Sequence, residues 1–304
     1  MSISNIDEIR FELSSGSEAA LSISLALMMF AVALSLKLEH FRFFKENPKI
    51  YFTGVISQII FLPALTVILC YLTNPHPSVA LGMILIACCP GGNVSNLLSM
   101  FGKGNTALSV SLTATSSLAA AFITPLSIIF WCGLYEPTQN LLSEITFNKL
   151  NFLFNTFLIL ALPLIMGISL LCLSPAFAKK IHKSVSLVSA FSLLMIIILS
   201  FIEYFEVFLQ IGMGIIALII THNTLAFMLG YVSGLTCNAP KTSARSLTFE
   251  IGIQNSGLGI VILLTQLEGI GGAGIVAGLW GIWHIIAGLL LVGFFKWKDR
   301  YVRS

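Results

Sequence analysis

The chain has 304 residues, 57% hydrophobic and 10% charged, where soluble domains carry about 25% charge. That balance excludes an ordinary soluble enzyme, and a net charge of +3 with no basic stripe interleaved with aromatics argues against a nucleic-acid partner. A membrane helix needs roughly 20 apolar residues, so apolar spans take up nearly the whole length.

In chain order, residues 1–19 form a polar, acidic segment with Asp7, Glu8, Glu12 and Glu18 against Arg10. It lacks the basic n-region of a cleaved signal peptide. Apolar stretches then follow at 20–37, 50–72, 78–101, 104–133, 150–174, 184–202, 207–235, 246–267 and 270–295, which predicts nine transmembrane helices in an all-α polytopic protein. Sorted by loop, 14 of the 16 Lys and Arg residues fall on one side. Only Arg10 and Lys149 fall on the other, with Glu136, Glu144, Glu203, Glu206 and Glu268. Cytoplasmic loops hold the positive charge, so the expected topology is N-terminus outside and C-terminus inside, in the cell (inner) membrane. A missed or false helix would scramble the alternation downstream, which supports the count. The chain therefore divides into an extracytoplasmic segment 1–19, one transmembrane domain 20–298 and a cytoplasmic tail 299–304. The six cysteines lie singly or adjacent in apolar runs, without CxxC or Cys/His spacing, and read as small packing residues.

Two spans are interrupted. In the third, Cys88-Cys89-Pro90-Gly91-Gly92-Asn93-Val94-Ser95-Asn96 places a proline and two glycines at mid-membrane, where a regular hydrogen-bond ladder cannot continue. Non-helical chain at this depth must be buried in protein or line a wet cavity, and Asn93, Ser95 and Asn96 favour the cavity. The eighth carries Glu250-Ile251-Gly252-Ile253-Gln254-Asn255-Ser256-Gly257. Glu250 is the one acidic residue placed inside a span, where a carboxylate costs roughly 3 kcal/mol on insertion scales, so something must compensate it. The two interruptions occupy matching positions in units of opposite orientation, the first unit one helix shorter. Discontinuous helices in inverted repeats point to a secondary transporter with a midplane ion and substrate site. Glu, Gln, Asn, Ser and Thr oxygens with unwound carbonyls suit a hard cation such as sodium, and half-helix N-termini suit an anionic group.

At these residues the chain resembles the bile acid:sodium symporter family, from Ala20 to the C-terminus. CCPGGNVSN (88–96), followed by Ala107-Leu108-Ser109-Val110 and Thr113, and EIGIQNSGL (250–258) are similar to the two crossed-helix signatures, with Asn93 where many members have Thr. Gln58, His222-Asn223 and Trp283-His284 fall where similar residues occur in bacterial members. The resemblance implies core and panel subdomains, two crossed broken helices and alternating access with two sodium ions per organic anion, the ions acting as coupling ligands with no further cofactor. It implies a first sodium site of Ser95, Asn96, Ser109, Thr113 and Glu250. The implied second site is Gln58, Glu250 and Gln254 with the carbonyls of Ile251 and Ile253. Substrate is expected against Asn93, Asn255 and His284. The partners implied are a bile acid or a smaller carboxylate such as pantoate or pyruvate, sodium and the bilayer, with the monomer as the working unit.

Blander readings stand beside these. Glu250 protonated, or hydrogen-bonded to a neighbouring helix, would be structural glue. A lone histidine in an apolar helix is more often a core residue than a ligand. Gly269-Ile270-Gly271-Gly272-Ala273-Gly274 looks like a nucleotide loop, but no strand precedes it, and close packing explains it. An intramembrane enzyme is disfavoured, since the only aspartates, Asp7 and Asp299, lie outside the spans and HExxH is absent; no residue reads as catalytic. A channel or ligand sensor on the same fold stays open.

Overall fold

A computed structural model describes residues 6–11, 15–37, 42–145, 147–204, 206 and 211–301. Glu12, Arg303 and positions 207–210, which open the seventh expected span, lie outside them. The described residues are helical apart from turns, connections and two isolated antiparallel bridges, Arg10 with Ile270 and Gly91 with Gln254. In order the helices are α1 (Ser15–Ser35), α2 (Arg42–Glu46), α3 (Pro48–Ile56), a π-helical turn (Ser57–Phe61), α4 (Leu62–Thr73), α5 (Pro77–Ala87), α6 (Val94–Phe101) and α7 (Thr106–Gly133). They continue as α8 (Glu136–Glu144), α9 (Lys149–Leu173), α10 (Pro175–Glu203), α11 (Met213–Thr236), α12 (Lys241–Gly252), α13 (Ser256–Gln266) and α14 (Gly271–Tyr301).

Six helical stretches among the described residues are long and apolar enough to cross a membrane: Gly16–Ser35, Pro48–Thr73, Thr106–Gly133, Lys149–Leu173, Met213–Thr236 and Gly271–Tyr301. The expected spans 78–101 and 246–267 are each two shorter helices around a break, α5 with α6 and α12 with α13. Helix α5 is apolar all round, with every residue from Ser78 to Ala87 buried, as befits the centre of a bundle. Large apolar side chains such as Phe122, Phe130 and Leu162 are exposed on outer faces. Lipid would cover them.

Several features depart from the sequence reading. The second span contains a π turn, and the extra residue it inserts turns Ser57 and Gln58 inward, both buried. Residues 136–144, expected as loop, form a short helix that buries Thr138, Leu141 and Leu142; at nine residues it is too short to span. Five of the six cysteines are buried, but Cys172 is exposed. Part of the N-terminal segment is also built into the bundle. The Phe11 N–H donates to Gly269 O (2.7 Å) and the Gly271 N–H to Ile9 O (2.8 Å), while Asp7 Oδ1 accepts from the Ser78 N–H at 2.9 Å and so caps α5 from outside its own segment. The glycines of 269–274 are packed from this side, Gly271 by Ile9 and Gly274 by Phe11, in keeping with close packing as their role.

Arg245, expected in a loop, lies inside α12 and is 4% exposed. Its guanidinium donates to both carboxylate oxygens of Asp299 on α14 (2.9 and 2.6 Å) and to Gly102 O after α6 (3.0 Å), and it stacks on Phe295 at 4.8 Å. Lys241 adds an exposed contact to Asp299 at 2.9 Å. Removing one partner of a buried pair leaves an uncompensated charge, whereas exposed pairs contribute little. Asp299→Asn is therefore expected to lower the melting temperature of the detergent-purified protein clearly more than Lys241→Met; equal effects would contradict the buried role of Arg245.

Candidate functional site

The site forms where the two breaks meet. The α5 helix stops at Cys88, since Pro90 has no N–H to continue it, and α12 stops at Gly252, with Ile253 extended. Gly91 and Gln254 then pair as a minimal antiparallel bridge. The Gly92 N–H donates to Ile253 O and the Asn255 N–H to Pro90 O, both at 2.9 Å. Each break thus satisfies backbone groups freed by the other. The approach needs glycine, because a Cβ at Gly91 would collide with the Glu250 carboxylate and one at Gly92 would sit 3.0 Å from Gln254 O.

Glu250 lies on the last turn of α12 and is 2% exposed. Three hydroxyls donate to its carboxylate: Ser95 of α6 to Oε2 at 2.6 Å, Ser109 of α7 to Oε2 at 3.0 Å, and Thr113 of α7 to Oε1 at 2.7 Å. Ser109 and Thr113 stand four apart on one helical face. Asn96 Oδ1 lies 3.3 Å from the Thr113 hydroxyl. All five residues expected for the first cation site are therefore in one cluster. A hydroxyl that donates to a carboxylate still has lone pairs, the kind of hard oxygen a small cation uses.

The second expected group also assembles. Gln58, turned inward by the π turn, donates from Nε2 to Gln254 Oε1 (2.6 Å) and Cys89 O (3.2 Å). Gln254 Nε2 donates to Ile251 O at 2.7 Å. The Ile253 carbonyl, already accepting from Gly92, has a second lone pair. Gln58 Oε1 is buried without a hydrogen-bond partner, an acceptor suited to a small cation. Gln58, Glu250 and Ser116 line one cavity of about 10 Å³, close to the room one water needs. Ser116 was missed in the sequence reading. Its hydroxyl accepts from the Gly91 N–H (3.3 Å) and donates to Thr113 O (3.2 Å), and its position three residues after Thr113 was the available signal.

The expected substrate residues are less uniform. Asn93 is exposed at the N-cap of α6, and Asn255 caps α13 by accepting from the Leu258 N–H at 3.1 Å. The N-termini of α6 and α13 therefore both begin at the breaks. His284 on α14 is 3% exposed, with no partner for Nδ1. His222, whose Nδ1 likewise has no partner, bonds Thr66 through Nε2 at 2.7 Å and packs on Trp280 with ring centroids 4.6 Å apart, contacts a core histidine makes. A larger cavity of about 540 Å³ lies between α1, the start of α9 and the end of α13, with Glu18, Asn151, Asn155 and Gln266 on its wall. That volume is within the range of small-molecule sites.

The model of the family described as "Sodium Bile acid symporter family" matches residues 22–211. A protein of Bacillus subtilis named uncharacterized sodium-dependent transporter YocS is 29% identical over 289 residues, 92% of this chain and 84% of the relative. A probable chloroplastic sodium/metabolite cotransporter of Arabidopsis thaliana, BASS1, is 28% identical over 90% of this chain, which spans 66% of that relative. The human ileal sodium/bile acid cotransporter is 27% identical over 78% of this chain and 67% of its own length.

Forcing a methyl group into a packed site costs roughly 1–3 kcal/mol. Gly91→Ala is expected to destabilise the purified protein by about that amount, while Gly133→Ala, in a helix and with nothing within 4 Å of the added carbon, leaves the melting temperature the same or slightly higher. Circular dichroism melts of the two variants would check this; equal melting temperatures would contradict the close approach of Gly91 to Glu250.

Proposed function

The chain belongs to the sodium bile acid symporter family, and from that premise we propose that it is a sodium-coupled symporter of organic anions working by alternating access. The observation that carries the proposal is the buried Glu250 carboxylate, ringed by the hydroxyls of Ser95, Ser109 and Thr113 and sharing a small cavity with Gln58, which is bonded to Gln254. One sodium ion binds Ser95, Asn96, Ser109, Thr113 and Glu250. A second binds Gln58, Glu250, Gln254 and the carbonyls of Ile251 and Ile253. One carboxylate serves both ions, and they offset its desolvation. The substrate anion sits beside them against Asn93, Asn255 and His284, where the amide groups that open α6 and α13 favour negative charge.

In this reading nine spans cross the membrane, the N-terminus is outside, and the two broken helices cross in inverted repeats that form core and panel subdomains of a working monomer. Substrate is a bile-acid-like organic anion. The name of the Arabidopsis relative, a sodium/metabolite cotransporter, favours a smaller carboxylate such as pantoate or pyruvate as the second reading. Two sodium ions with one monovalent anion carry a net positive charge inward, and a 100 mV potential adds about 2.3 kcal/mol per charge. Transport is then electrogenic and concentrative.

A ligand that binds only the folded state stabilises it by about 2.7 kcal/mol at a hundred times its Kd. Melting in sodium is expected at a higher temperature than in potassium at equal ionic strength, and Glu250→Ala should abolish the difference while still inserting in the membrane. In liposomes, wild type should accumulate organic anions against a gradient only with inward sodium. A sodium response retained in Glu250→Ala would overturn the ion sites, and saturable binding without accumulation would point to a channel or sensor.

A further inference from the structure

The geometry points to Asn223 as a positioning residue for the second sodium site, held on a helix that contributes no ligand of its own. This inference rests on the sodium reading above. Three successive carbonyls at the end of α12 are each fixed by a different donor. Ile251 O accepts from Gln254 Nε2 at 2.7 Å and Ile253 O from the Gly92 N–H at 2.9 Å. Gly252 O, between them, accepts from Asn223 Nδ2 of α11 at 2.8 Å.

Asn223 is fully buried, and its Oδ1 has no partner. A flipped amide would set two acceptors face to face, so the orientation with the N–H toward Gly252 is required. The Asn223 amide is thus turned so that its donor meets this one carbonyl. The rest of the α11 face fixes the distance. Phe227, one turn further on, covers Gly252, and Gly230 and Gly234 let α11 lie directly on Leu247 and Ala244, a small-xxx-small contact.

Peptide planes are rigid, so anchoring the Gly252 carbonyl limits how far those of Ile251 and Ile253 can swing. Gly252, lacking a Cβ, has wider backbone freedom than the residues on either side of it. Gln254 is itself a ligand in the proposed site, so its hold on Ile251 O is tied to ion binding. The Asn223 anchor has no such second duty. It keeps the two liganding carbonyls at cation-binding separation through the sodium cycle.

The test is sodium-dependent uptake and sodium-dependent melting of the full-length protein for wild type, Asn223→Leu, Asn223→Gln and Thr66→Val. Asn223→Leu is expected to raise the sodium concentration for half-maximal uptake about tenfold, the loss of roughly one hydrogen bond. Substrate KM at saturating sodium should stay within about twofold. Asn223→Gln, which keeps the donor, should recover most of the sodium affinity. Thr66→Val breaks the neighbouring bond to His222 and should lower melting equally with and without sodium. If Asn223→Leu also lowers melting equally in both and leaves half-saturation unchanged, Asn223 only packs and the inference is wrong. Should Asn223→Leu not reach the membrane, Asn223→Ser takes its place with the same two outcomes. A wild type indifferent to sodium removes the sodium reading and this inference together, whereas a normal wild type and a sodium-blind Glu250→Gln beside an unaltered Asn223→Leu removes this inference alone.

Discussion

Everything at the centre of this molecule depends on a rule of lipid solvation: a backbone amide or carbonyl freed at mid-membrane must find a partner within the protein. Two helices break here, and most of the freed groups are satisfied across or beside the breaks. Pro90 O takes the Asn255 N–H, Gly92 gives its N–H to Ile253 O, and side chains of Gln58, Gln254 and Asn223 cover Cys89, Ile251 and Gly252. Neither break would be tolerable alone. Their pairing also means that one cannot shift without disturbing the other, so the centre behaves as a single mechanical piece.

The same rule explains the surroundings of Glu250. A buried carboxylate is tolerated only when paired or richly hydrogen-bonded, and three hydroxyls supply the bonds. Among the described residues no basic side chain forms an ion pair with it. Arg245, five residues earlier on the same helix, is committed to Asp299 and Gly102 instead. The carboxylate is thus met by hydroxyl dipoles and not by a fixed cation. The separation of Arg245 from Glu250 along α12 is as much a part of the site as the hydroxyls.

The breaks were legible in the sequence because proline and paired glycines in an apolar run have few other uses, and Glu250 because a carboxylate there is expensive. The clustering of Ser95, Asn96, Ser109 and Thr113 was legible only as a set, through the family resemblance, since each alone reads as a helix-packing residue. Other features left no local signal. The π turn at Ser57–Phe61 depends on how one helix must rotate against its neighbours, which no single window of sequence records. The docking of Asp7, Ile9 and Phe11 against Ser78, Gly269 and Gly271 joins parts of the chain far apart in sequence. Arg245 reads as a loop charge until Asp299, more than fifty residues away, is placed beside it.

Small residues decide how these constraints combine. Gly91 and Gly92 allow the breaks to touch, and Gly230 and Gly234 allow α11 to lie on α12. In lipid, close packing of this kind does the work that exclusion from water does elsewhere, because the alternative contact for an apolar helix is an equally apolar acyl chain. Gly91 and Gly92 therefore perform two tasks at once: they weaken the helical ladder where it must stop, and they bring neighbouring backbones and side chains close enough to repair the damage. Two helix breaks that must meet inside apolar surroundings have to solve both problems at the same positions, and in this chain the residue type that opens the helical ladder also allows the packing that closes around it.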